Sequence, residues 1–106
     1  MTGEDIRRLA LAFPGAEEKS HFGKADFRVK NKIFVSLKDD ATGVVKLLPE
    51  QQSMMVEAEP RIFQALAGGW GRKGWTKVIL ARADETTLRS ALQMAWCNVA
   101  PKKLKI

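Results

Sequence analysis

Residues 68–75 read Gly-Gly-Trp-Gly-Arg-Lys-Gly-Trp and hold half of the chain's eight glycines and two of its three tryptophans. Arg72 and Lys73 stand side by side there with no acid in the stretch. The pattern is neither of the phosphate-cradling forms GxxxxGKS/T and GxGxxG, and it leads into a strand-like segment. The helix N-terminus that nucleotide loops aim at a phosphate is therefore missing, and no cofactor is expected. What remains is a cationic tip bearing an aromatic ring. Arg72 and Lys73 suit phosphate contact, and Trp70 suits stacking on a base or sugar. Lys77, Lys102, Lys103 and Lys105 extend the patch. The plainer alternative is structural: glycines permit positive φ, Trp70 and Trp75 anchor the loop to the core, and the basic pair keeps it hydrated.

The inventory for catalysis is thin. His21 is the only histidine and Cys97 the only cysteine. No CxxC or HExxH spacing is present, so no metal site is expected. His21 could serve as a base or a proton-sensitive group, but it reads first as a surface or half-buried histidine satisfied by a neighbouring backbone group. Ser20 beside it is adjacent only in sequence. Cys97 falls near the end of a helical pattern, without the N-terminal dipole that depresses a thiol pKa, so its expected role is structural. Glu17-Glu18 and Asp39-Asp40 read as a loop and a turn. Met54, Met55 and Trp96, at helical spacing, are expected in the core. No enzymatic activity is expected.

Charge points to a class of partner. The net charge is +6. Residues 1–59 carry nine Lys/Arg against ten Asp/Glu, or −1, and residues 60–106 carry nine against two, or +7. A basic half suggests an anionic partner such as nucleic acid, DNA being favoured, although a basic surface also simply promotes solubility. The opening MTGEDIRRLALAF lacks a basic n-region and a cleavage site, and no apolar run approaches the ~20 residues of a membrane span. With one cysteine and no internal disulfide, a cytoplasmic location and no membrane association are expected.

These side chains must be carried by an ordinary single domain, residues 1–106, with 45% apolar and 28% charged residues. Thr2 and Asp5 resemble a capping box, and Ile6, Leu9, Ala10 and Phe13 follow one helical face until Pro14-Gly15. The segments ADFRVK and KIFVSLK, joined at Asn31, read as strands, and VVKLL follows as a third. Proline opens a helix at PEQQSMMVEA until Pro60 interrupts. A short helix is expected at Arg61 to Leu66. WTKVILA alternates as a strand, and Asp84 caps a last helix with the stripe Leu88, Leu92, Ala95, Trp96 and Val99, ended by Pro101. The expected fold is α+β in α-β-β-β-α-β-α order, an antiparallel sheet packed against the N- and C-terminal helices.

The stretch FPGAEEKSHFGKADFRVKNKIFVSL, followed by VVKLLPEQQ, GGWGRKGWTKVIL and ALQMAWCNVAPKKL, resembles the MmcQ/YjbR-like family in order along nearly the whole chain. The resemblance implies a CyaY-like or secretion-chaperone-like fold, a curved antiparallel sheet against helices, and DNA binding through a proposed double-wing arrangement. It implies no catalytic residues. The expected function is thus a small nucleic-acid-binding module using Trp70, Arg72, Lys73, Lys77, Lys102 and Lys103. The alternative is a protein-interaction or chaperone-like domain that binds through its sheet face or an apolar helix surface.

Overall fold

Local chemistry starts the first helix as its sequence requires. Asp5 Oδ2 accepts from the Thr2 backbone N–H at 2.8 Å, closing the capping box, and α1 runs Gly3–Leu11. Ile6, Leu9 and Ala10 are buried along one face, and Phe13, two residues past the helix end, stacks on Trp96 at 5.7 Å between centroids. The computed structural model describes residues 1–105.

Six strands follow or interleave with the helices: β1 (Glu17–His21), β2 (Lys24–Val29), β3 (Lys32–Asp39), β4 (Thr42–Lys46), β5 (Phe63–Ala65) and β6 (Trp75–Ile79). They form one sheet in the order β1-β2-β3-β4-β6-β5, with every neighbouring pair antiparallel. Between β4 and β5 lies α2 (Pro49–Ala58), between β5 and β6 the five-residue α3 (Gly68–Arg72), and after β6 the long α4 (Glu85–Val99). Asp84 caps α4 by accepting from the Thr87 N–H at 2.7 Å.

Side chains alternate across a strand, so the register divides the residues between two faces. Phe27, Val35, Val45, Thr76 and Val78 point one way and are buried; α1 and α4, with Leu88, Leu92 and Trp96, lie over β3 and β4, and Gln52 of α2 donates to Thr76 Oγ1 at 3.2 Å. A bulge at Phe34, between the Phe27–Val35 and Arg28–Ile33 pairs, turns Phe34 to the same side, where it is fully buried. The row Asp26–Ser36–Val44–Lys77–Gln64 points the other way. Among the described residues, no helix covers that face except α3 at its β6 side.

The expected α+β architecture and element order are present, with two strands added. Glu17-Glu18 belong to β1, whose five side chains are all exposed, so no apolar alternation marks it. The helix expected at Arg61 to Leu66 is instead β5, because Phe63 fills the core beside Val78 while its backbone pairs with β6. The glycine-rich stretch is not a loop but α3, one helical turn and a half long. Met54 is exposed, whereas Met55 packs partly against the core.

Candidate functional site

The position of the glycine-rich stretch is set by two of its glycines. A β-carbon on Gly71 would lie 1.7 Å from the Leu66 carbonyl oxygen, and one on Gly74 would lie 1.9 Å from that of Leu47. Gly74 also sits at φ +106, a region that side-chain-bearing residues avoid. Backbone approach this close is open only to glycine, and it pins α3 and the residues after it against the ends of β5 and β4. Gly74 O then accepts from the Leu47 N–H at 3.2 Å and from the Thr76 hydroxyl at 2.8 Å.

Pinned in this way, α3 presents Trp70 at the rim of the open sheet face. The ring is 61% exposed and meets Trp75 edge-on at 6.1 Å. Each indole carries a lysine: Lys73 Nζ lies 5.6 Å from the Trp70 centroid, and Lys46 Nζ lies 5.3 Å from that of Trp75. Such cation–π contacts are worth ~0.5–1 kcal/mol each at exposed sites. Lys46 Nζ also donates to the Lys73 carbonyl at 3.2 Å, tying β4 to the end of α3.

The two tryptophans close one end of a groove of about 470 Å³ across the open face. Ile33, Leu37, Val44 and Leu66 supply an apolar lining, and Lys24, Lys38, Ser36 and His21 supply polar groups. Lys77 stands beside Val44 on the same face. Among the described residues, no ion pair involves Lys24, Lys38, Lys46, Lys73 or Lys77. The one buried acid of this face, Asp26, is already held. Its carboxylate accepts from Arg28 Nε at 2.7 Å and Nη2 at 3.0 Å. The Arg28 guanidinium holds its pKa below the usual carboxylate range, against the effect of burial. His21 Nδ1 lies 2.7 Å from Asp26 Oδ2; a carboxylate only accepts, so Nδ1 carries the proton. His21 is thus satisfied by a side chain, not by the backbone group expected from the sequence.

The six residues singled out in sequence do not form one site. Trp70, Arg72 and Lys73 share α3 and its cap, and Lys77 lies on the open face nearby. Lys102 and Lys103 occupy a 3-10 turn, Lys102–Leu104, beyond α4, where Leu104 packs over Gly15 beside Val29. That corner lies at β2 on the helical side of the sheet. β2 is three strand spacings from β6, about 14 Å at ~4.8 Å each. Lys24 and Lys38 in the groove, and Lys46 over Trp75 at its rim, are the residues that sequence reasoning missed. Their signal was present as polar positions of alternating strands, but the alternation does not say which strands are neighbours.

Cys97, half-buried in α4, borders a separate cleft of about 400 Å³ with Gln51, Ser90, Gln93 and Met94. Among the described residues, no group of three or more His, Cys, Asp or Glu is placed to hold a metal ion. No helix among them is long and apolar enough to cross a membrane.

No curated protein matches the chain. The crystal structure of Deinococcus radiodurans protein DR2400, described with a DUF419 domain, is similar to it with a TM-score of 0.78 at 20% identity, covering 96% of this chain and 80% of that one. At that identity the likeness speaks to fold. The YjbR family model matches residues 11–98, the span from the end of α1 through nearly all of α4. The chain belongs to the YjbR family.

Proposed function

We propose that this protein is a non-enzymatic, cytoplasmic nucleic-acid-binding module that takes a single strand, DNA being favoured, along its open sheet face. The observation that carries this reading is Trp70, exposed at the rim of a groove and flanked by lysines that have no carboxylate partner. Exposed indoles offer sequence-tolerant stacking, and uncommitted lysines follow a phosphate backbone. A single strand suits this surface better than a duplex, because the bases must be free to reach the rings. Lys102 and Lys103 are left out of the interface by their position.

Fluorescence anisotropy with a labelled oligo-dT strand tests it. Binding should weaken with salt at a log–log slope of about −0.7 per phosphate contacted. Trp70→Ala should cost ~1–3 kcal/mol of affinity. Lys46→Ala with Lys73→Ala should make the slope about 1.4 less negative, while Lys102→Ala with Lys103→Ala should change neither affinity nor slope. Absence of binding at ~50 mM salt, where phosphate-directed binding is strong, would overturn the reading.

The apolar lining of Ile33, Leu37, Val44 and Leu66 favours a second reading, a protein segment laid along the sheet. Binding to a protein partner that persists at high salt would support it, since apolar burial is little screened.

A further inference from the structure

The tip of the β1–β2 hairpin carries an aromatic ring for which the fold has no use. Phe22 is 97% exposed. The two-residue connection between His21 and Lys24 has Phe22 at φ +52 and Gly23 at φ +74, both left-handed, which is the type I′ pattern. That turn favours Asn, Asp and Gly, and a bulky residue at positive φ is an outlier. In the neighbouring β2–β3 hairpin, also left-handed at both turn residues, the position matching Phe22 holds Lys30, a charged chain at home in water, and Asn31 matches Gly23. Phe22 therefore opposes the backbone preference of its position and buries none of its own ring in return. A strained position holding an exposed apolar group is what a contact residue looks like, because stability alone would select against it.

The surroundings indicate what it contacts. The His21 ring meets Phe22 edge-on at 5.7 Å, and His21 is itself fixed by Asp26, which Arg28 holds in turn. The tip is thus braced before any partner arrives. His21 and Lys24, on either side of the turn, line the groove that Trp70 and Trp75 also line. Lys24 and Lys38 supply uncommitted positive charge at the hairpin end, and the buried acid there is neutralised by Arg28. An aromatic tip between cations suits a partner that pairs planar rings with negative charge.

We propose that Phe22 is a second stacking residue of the same binding face, taking an unstacked nucleobase while Lys24 and Lys38 meet the adjoining phosphates. The inference rests on the nucleic-acid reading above.

The test is Phe22→Asn in the intact protein, since asparagine suits the left-handed turn. The melting midpoint should stay level or rise, while affinity for an oligo-dT strand falls at least fivefold, the low end of losing one stacked base. On an abasic strand of equal length, which keeps the phosphates and lacks the bases, the loss should shrink below about twofold. Equal affinity of the variant and the unaltered protein for oligo-dT would overturn this inference and leave the parent reading standing. An undiminished loss on the abasic strand, a lower melting midpoint, or a change in sedimentation marking lost self-association would overturn it as well. Failure of the unaltered protein to bind oligo-dT would overturn both.

Discussion

Gly74→Ala is the sharpest test of whether the glycine-rich stretch is a built part of the fold or a free tip. Two separate effects act at this position. The backbone sits at φ +106, and holding a non-glycine residue in such a sparsely populated region costs ~1–3 kcal/mol. The added β-carbon would also lie 1.9 Å from the Leu47 carbonyl oxygen, a backbone atom that cannot rotate away. Relief requires β4 and β6 to part, and overpacking of this kind costs ~1–3 kcal/mol more. The sum, ~2–6 kcal/mol, is a large fraction of the ~5–15 kcal/mol that stabilises a domain. At ~4–8 °C per kcal/mol for a domain of about this size, the melting midpoint should fall by about 8 °C or more. Gly69→Ala is the matched control. Its β-carbon would meet nothing nearer than an Arg72 side-chain nitrogen at 3.8 Å, within α3, and alanine there should stabilise by ~0.5–1 kcal/mol. Thermal melts of both variants by circular dichroism decide the matter. A Gly74→Ala midpoint within about 2 °C of the unaltered protein would refute the reasoning, because neither the strain nor the contact could then be real.

Two further expectations concern side chains that hold the sheet and helices in place. Asp26→Asn removes the carboxylate that Arg28 and His21 share, and should destabilise by at least ~1.5 kcal/mol, the low end for a hydrogen bond to a charged group. Because the folded-state pKa of Asp26 is depressed, its contribution is complete above the unfolded value of ~3.9 and is lost as pH falls through the lower folded value. Denaturant melts of the variant should therefore differ from the unaltered protein at pH 7, and the gap should begin to close only as pH falls below about 4; a gap that persists undiminished at pH 2 would refute the assignment. Trp96→Phe keeps much of the stacking on Phe13 but leaves the Pro14 carbonyl without its indole N–H donor at 2.9 Å, and should cost ~1–2 kcal/mol in urea unfolding. A variant as stable as the parent would show that this bond does not tie α4 to the end of α1.

The helices and the central strands were legible because their signals are local. The capping box at Thr2 and Asp5, the Asp84 cap, and the stripe through Leu88, Leu92, Ala95 and Trp96 each lie within a few turns of chain. The strands from Lys24 to Lys46 announce themselves by aromatic and β-branched residues around Asn31. β1 was hidden because an edge strand with every side chain in water needs no apolar pattern; its pairing is imposed by the turn at Phe22-Gly23. β5 was hidden because three residues, only one of them buried, fit a helix as well as a strand until β6 is in place beside them.

Amino-acid types alone determined that this is a basic α+β domain with an unusual Gly-Trp segment. Only the tertiary structure decided what that segment does. Gly71 and Gly74 are required by the Leu66 and Leu47 carbonyls, and Lys46 reaches Trp75 across 29 positions of sequence. The same is true of charge. Lys73, Lys77, Lys102 and Lys103 are equals in a sum over the second half, yet strand order sets two beside the groove and two at the far corner. Composition adds charges without regard to place, whereas a site depends on which of them face the same way, and non-local pairing sets that direction.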